Sequence, residues 1–286
     1  SKTPLPVVPT ATPRPPIALP LLWNRASIGQ IGALQAAPQT TATPENAVEW
    51  AFPQRPAGLT AMPLPGLTRG AAAAEAGAMD VRPLAMDVTR QRLLVASEDR
   101  LLAVDALTGR QLFAARLPGS AEAAVVAPDS GRAFVAVAER GEVYALDTLG
   151  NAQRVAEGLG RPTDLAYGDG RVYVADSAGE RVIVLDGESC AIIVTSTLSA
   201  APYGLAYDPV ERRLYVGQMG RAQILALEAE TLALQGQVDL SGLGFPLDLA
   251  LDAPANLLYV AYALSPKYGA LSVIDTTDLS LVDTVS

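Results

Sequence analysis

The chain has 286 residues, 50% of them hydrophobic but only 5% aromatic, and a formal charge of −9. That length suits one large all-β domain or two small domains, and that charge repels nucleic acid and anionic membrane surfaces. With no His and one Cys, the sequence cannot form a Ser-His-Asp or Cys-His catalytic set, an internal disulfide, or a zinc or iron–sulfur site held by cysteines.

The first segment, residues 1–22, reads SKTPLPVVPTATPRPPIALPLL. Its Pro and Thr favour extended, polyproline-type backbone, so it is expected to act as a semi-rigid spacer. Ser1 stands without a Met or a signal peptide, as expected of a processed or trimmed chain. Residues 23–80 follow with mixed apolar spacings around Trp23, Ile28, Ile31 and Leu34, and with prolines interrupting GLTAMPLPGL. One or two strands are expected there. No run approaches the roughly 18 apolar residues of a membrane span.

Residues 81–286 carry a repeat. Leu214-Tyr215-Val216 recurs as Leu93-Leu94-Val95, Ala133-Phe134-Val135, Val172-Tyr173-Val174 and Leu258-Tyr259-Val260, with steps of 40, 39, 42 and 44 between the middle residues. About ten residues after each, a second run ends in an acid: Asp105, Asp147, Asp186, Glu228 and Asp275. Before each lies a third apolar run, and Asp87, Asp208 and Asp252 each precede their Leu-led run by six residues. A period near 40 with about four short strands per copy is the pattern of a β-propeller built from four-stranded antiparallel blades. For the copy around Tyr215 the predicted strands are 204–207, 213–217, 223–227 and 234–240. Each blade would have two apolar faces and need neighbours to bury them. Gly and Ala in the innermost strand let the blades converge.

The segment PYGLAYDPVERRLYVGQMGRAQILALEAETLAL, residues 202–234, resembles the YVTN/NHL class of propeller repeats. It has the Pro, the Gly-containing inner strand, the Asp-Pro turn, the Leu-Tyr-Val strand, a Gly turn, and a strand ending in an acid and a Thr. The resemblance covers residues 81–286. It implies a propeller and a broad choice of roles: binding platform, surface protein, sensor and, in some relatives, lactonase or dehydrogenase. Five copies are legible, while six or seven blades are commoner in this class. Residues 23–80 would then be a degenerate further blade, or would pack outside a five-bladed ring. The N-terminal Pro/Thr stretch resembles the tether that follows the lipidated Cys of bacterial surface lipoproteins. A plain interdomain linker reads equally well.

The acids that end the third strands recur once per blade and so lie far apart. DALTG at 105–109 and DTLG at 147–150 indicate their role, which is to accept backbone N–H groups in a turn. Cys190 is expected to be a buried free thiol.

In a propeller, the loop leading into the innermost strand and the loop between strands two and three share one face around the channel. The first set offers Arg82, Glu122, Thr163 with Asp164, Tyr203 and Asp248. The second offers Glu98 with Asp99, Glu139 with Arg140, Asp176, Gln218, and Tyr262 with Lys267 and Tyr268 in a longer loop. Asp164 and Asp248 hold the same repeat position, where related lactonases place acids and an Asn around a metal. The resemblance therefore implies, as an alternative, a channel Ca²⁺ site in a metal-dependent hydrolase. A general base would have to be a carboxylate such as Glu122 or Asp164. The only tryptophans, Trp23 and Trp50, lie outside the repeats, unlike the quinone-dependent propeller dehydrogenases. The leading expectation is a non-catalytic binding or scaffold protein without a cofactor, outside the cytoplasm. Its partner would be a protein or a cell-envelope polymer.

Overall fold

The residues that the structure describes form five four-stranded antiparallel sheets that follow one another along the chain. The computed structural model describes residues 81–265 and 268–285. The expectations for 1–22, 23–80 and Lys267 lie outside these residues. Sheet 1 holds β1 (Val81–Asp87), β2 (Arg92–Ser97), β3 (Arg100–Asp105) and β4 (Gln111–Arg116). Sheet 2 holds β5 (Ala123–Val126), β6 (Ala133–Val137), β7 (Glu142–Leu146) and β8 (Ala152–Ala156). Sheet 3 holds β9 (Pro162–Gly168), β10 (Arg171–Asp176), β11 (Arg181–Asp186) and β12 (Ile192–Thr197). Sheet 4 holds β13 (Pro202–Asp208), β14 (Arg213–Gln218), β15 (Gln223–Glu228) and β16 (Leu234–Asp239). Sheet 5 holds β17 (Phe245–Asp252), β18 (Leu257–Ser265), β19 (Tyr268–Asp275) and β20 (Ser280–Val285). Among the described residues there is no α-helix, and none of their helices is long and apolar enough to cross a membrane.

Within each sheet the strands are paired in chain order, a meander of hairpins. The predicted strands of the fourth copy match β13–β16 to within two residues at each end. The first strands of successive sheets touch: β1 with β5, β5 with β9, β9 with β13, and β13 with β17. The sheets are therefore stacked in a propeller-like succession, with first strands inside and fourth strands outside.

The alternation of side chains along a strand accounts for the core. In β6, Val135 packs with Leu94 and Leu101 of sheet 1, while Phe134 packs with Val172 and Ile183 of sheet 3. In the same way Tyr173 faces sheet 4 with Leu214 and Val216, and Tyr215 faces sheet 5 with Leu258 and Ile274. Leu257, Tyr259 and Val273 form a smaller cluster of their own. The middle residues of the repeated run, Leu94, Phe134, Tyr173, Tyr215 and Tyr259, are all between 0% and 1% exposed. Full burial of a side chain of this size contributes about 1.5–3 kcal/mol, so these five positions anchor the stack.

The acids that close the third strands do what their turns require. Asp105 Oδ1 accepts the N–H groups of Leu107 and Thr108 and the Thr108 hydroxyl. Asp186 does the same with Glu188 and Ser189, and Glu228 with Glu230 and Thr231. These donors hold the carboxyls of Asp105, Asp186 and Glu228 below their ordinary values. At the same end of the sheets, in the turn that closes the first hairpin of sheet 4, Asp208 is buried and accepts the N–H groups of Val210 and Glu211. Buried Asp87 accepts from Arg90 N–H and the Arg92 guanidinium.

One expectation is corrected here. Cys190 is not fully buried. It is half-buried in the turn before β12, at φ 61°, with its Sγ 3.6 Å from Arg132 Nη1.

Candidate functional site

The start of each first strand and the end of each second strand lie together. Pro162 pairs with Asp176, Pro202 with Gln218, and Pro246 with Tyr262. The loops expected to share a face therefore do share one end of the sheets. What their side chains do there differs from the sequence expectation in an ordered way.

Ser97, Val137, Asp176, Gln218 and Tyr262 occupy one column of the repeat, three residues beyond its buried centre, and all are buried. Asp176 is 0% exposed. Its Oδ1 accepts Arg161 N–H at 2.8 Å and Gly179 N–H at 3.2 Å, and its Oδ2 pairs with Arg181 Nε at 2.8 Å. Burial pushes the Asp176 carboxyl up. The N–H groups of Arg161 and Gly160, the Arg181 guanidinium and Gly179 N–H together outweigh it and hold the group below the ordinary 3.8. Gln218 does the equivalent job one sheet later. Its Nε2 donates to Ala200 O at 2.8 Å, and its Oε1 accepts from the Gln223 side chain. Each fastens the loop that leads into the first strand of its sheet. Tyr262 lies in the apolar cluster between sheets 4 and 5, with its hydroxyl beside Ser272 but outside hydrogen-bond geometry.

The residues of the other set join neighbouring sheets. Arg82 Nη2 donates to Ala121 O at 2.8 Å and stands 3.7 Å from Glu122 Oε2, tying sheet 1 to sheet 2. Thr163 Oγ1 donates to Tyr203 O at 3.2 Å, and Asp164 Oδ2 accepts Leu205 N–H at 2.8 Å. Sheets 3 and 4 are thus stitched through their first strands. Asp248 Oδ1 accepts Leu249 N–H. Between the strands of Asp164 and Asp248 runs β13, which carries Gly204 at the corresponding position. Among the described residues, no three His, Cys, Asp or Glu side chains gather as metal ligands. The backbone of Tyr268 pairs with Ser265 in the hairpin of sheet 5.

Sheets 2 and 3 also form a depression of about 420 Å³ on this face, lined by Ser120, Glu122, Ala138, Glu139, Gly160, Arg161 and Ala178. Glu122 precedes β5, where its N–H donates to Ala136 O. Glu139 sits on a single 3-10 turn, Ala138–Arg140. Its Oε1 accepts Ser120 N–H at 3.2 Å, so the acid leans across the loop leading into β5. The turn is closed by Gly141 at φ 63°, a conformation that favours glycine. Leu159 N–H donates to Gly141 O, and a Cβ on Gly141 would overlap Leu159 O. The turn bearing Glu139 and the loop bearing Arg161 are therefore locked together.

Of the lining residues, Glu122 and Glu139 were legible in the sequence as members of the loop sets. Ser120 and Arg161 were not. Arg161 stands in Gly160-Arg161-Pro162, and this Gly-Arg-Pro run just before a first strand was the available signal. Two carboxylates beside an exposed guanidinium can receive a cationic group and an anionic group a few ångströms apart. No family model matches the chain, and no curated protein matches it.

Proposed function

We propose that the five sheets are blades of a β-propeller of the YVTN/NHL kind, and that the protein is a non-catalytic binding or scaffold protein. It would work outside the cytoplasm and present its loop-rich face to a partner protein or a cell-envelope polymer. The number of blades depends on what packs against the Leu257, Tyr259 and Val273 face of sheet 5. One observation carries the binding reading. The buried polar groups of this face, Asp176 and Gln218, are engaged in fastening loops, while Glu122, Glu139 and Arg161 line an open depression. A rigid frame that displays charges suits recognition of a partner's Lys or Arg next to its Asp or Glu.

The test compares the wild-type chain with an E122R/E139R variant, each immobilised and exposed to cell-envelope extract from the source organism. An opposite-end variant, E211R, serves as control. Retention by wild type and E211R but not by E122R/E139R is the expected result. Equal retention by all three sinks the assignment of this face. Stoichiometric bound Ca²⁺ with ester or lactone turnover, lost in D164A/D248A, replaces the reading with the hydrolase alternative.

A further inference from the structure

The first and last sheets of the series each turn one face away from their described neighbour. Successive sheets meet through their first strands, but no comparable contact joins β17 of sheet 5 to β1 of sheet 1. Alternation along the strands fixes which side chains are left over. In sheet 1, Leu94, Ala96, Leu101 and Ala103 face sheet 2, so Leu93, Val95, Leu102 and Val104 face away. In sheet 5, Leu258, Val260 and Ile274 face sheet 4, so Leu257, Tyr259, Leu271 and Val273 face away. At these positions both outlying faces are wholly apolar.

These faces are nevertheless shut off from water. Within one chain Val95 is 6% exposed, Leu257 7%, Tyr259 1% and Val273 5%. The described residues do not account for this. The hydrophobic side chains packed against Leu257, Tyr259 and Val273 are Ala250 and Leu271 of the same sheet. Val95 belongs to none of the clusters between successive sheets. Side chains on one face stand side by side, roughly perpendicular to the sheet, and do not roof one another. A tyrosine at 1% exposure needs cover from above.

We propose that residues 23–80 of this same chain lie against the outlying faces of sheets 5 and 1 and cover both. Three observations select this occupant. The burial is complete within one chain, so it calls for no second copy and no other protein. The segment also leads directly into Val81, the first residue of β1. Elsewhere only four to six residues lead from an outer strand to the next first strand, so the chain reaches a first strand from close beside it. Finally, the segment has the size and character required. Its 58 residues exceed the repeat steps of 39 to 44, and seven of them are charged, which leaves enough apolar chain to enter the seam. The inference makes residues 23–80 part of the folded body, apart from the spacer expected over 1–22. It concerns the seam and not the depression, and its tests do not read binding, so either reading can fail alone.

The test places photoreactive p-benzoylphenylalanine at Leu102 or at Leu271, both half-buried on these faces, in the full chain. After irradiation the linked peptides are mapped by mass spectrometry. From both positions the expected product is an intrachain link into residues 23–80. A link from Leu102 into sheet 5, or from Leu271 into sheet 1, overturns the proposal by showing that the five sheets close on one another. Links between two chains or to another protein overturn it by naming a different occupant. Links from one position alone, or from neither, overturn the claim that a single segment covers both faces. A second measurement needs no substitution. Trp23 and Trp50 are the only tryptophans of the chain, and both lie in the segment. Acrylamide should quench their emission several-fold less than that of free tryptophan amide. Quenching as strong as that of the free amide overturns the proposal, because the segment would then stand in water.

Discussion

Asp176 shows how a residue that reads as a site can be a fastener. It is acidic, lies at the loop-facing end of a second strand, and occupies a repeat column that also holds Gln218. Its carboxylate satisfies backbone N–H groups of two loops and one guanidinium. Hydrogen bonds to a charged group contribute about 1.5–3 kcal/mol each, so Asp176→Asn, which loses the charge, should lower stability at neutral pH by about 2–3 kcal/mol. The group's folded value lies below the ordinary 3.8. Its contribution is therefore complete above that ordinary value and is lost as pH falls through the lower folded value. Melting curves of wild type and D176N measured down the acid limb should converge there. A gap that stays constant to the lowest pH would show that packing, not charge, is at stake.

At the scale of the strand, the repeated Leu-Tyr-Val run sends alternate side chains to opposite neighbours. The tyrosines at its centre bring bulk, but they also bury a hydroxyl. Tyr259 is 1% exposed, and its hydroxyl has no hydrogen-bond partner among the described residues. Burial pushes that hydroxyl's pKa up, the mark of a polar group taken from water without return. A buried unsatisfied polar group costs about 1–3 kcal/mol. Tyr259→Phe should therefore raise the thermal midpoint, by an amount corresponding to about 1 kcal/mol. A lowered midpoint would mean that the hydroxyl finds a partner in solution.

For the whole molecule, the decisive contact is between first strands. A Cβ placed on Gly204 would stand 3.2 Å from the Cα of Asp248 and 3.3 Å from Leu247 O, both backbone atoms of the next sheet. Backbone cannot swing aside as a side chain can. Gly204→Val should act as a wedge between sheets 4 and 5 and destabilise by about 1–3 kcal/mol, the usual cost of overpacking. Chemical denaturation of the variant measures it, and an unchanged midpoint would mean that the sheets slide apart at no cost. The same convergence brings the turn of Glu139 and the loop of Arg161 to one depression, although 22 residues separate them in the chain.

The strands, their turns and their order were legible in the sequence because they rest on short-range physics. Side chains alternate with a period of two, an Asp accepts the N–H groups of the next two or three residues, and the pattern returns five times. Asp105, Asp186 and Asp208 could be assigned to turns without any knowledge of their neighbours in space. The fate of the polar residues at the end of the sheets where first strands begin was not legible. Whether Asp164 meets a ligand or Leu205 N–H, or whether Asp176 faces solvent or Arg161 N–H, depends on how closely two sheets approach and which loops they press together. That separation is set by packing between residues about 40 positions apart, and only the tertiary structure decides it.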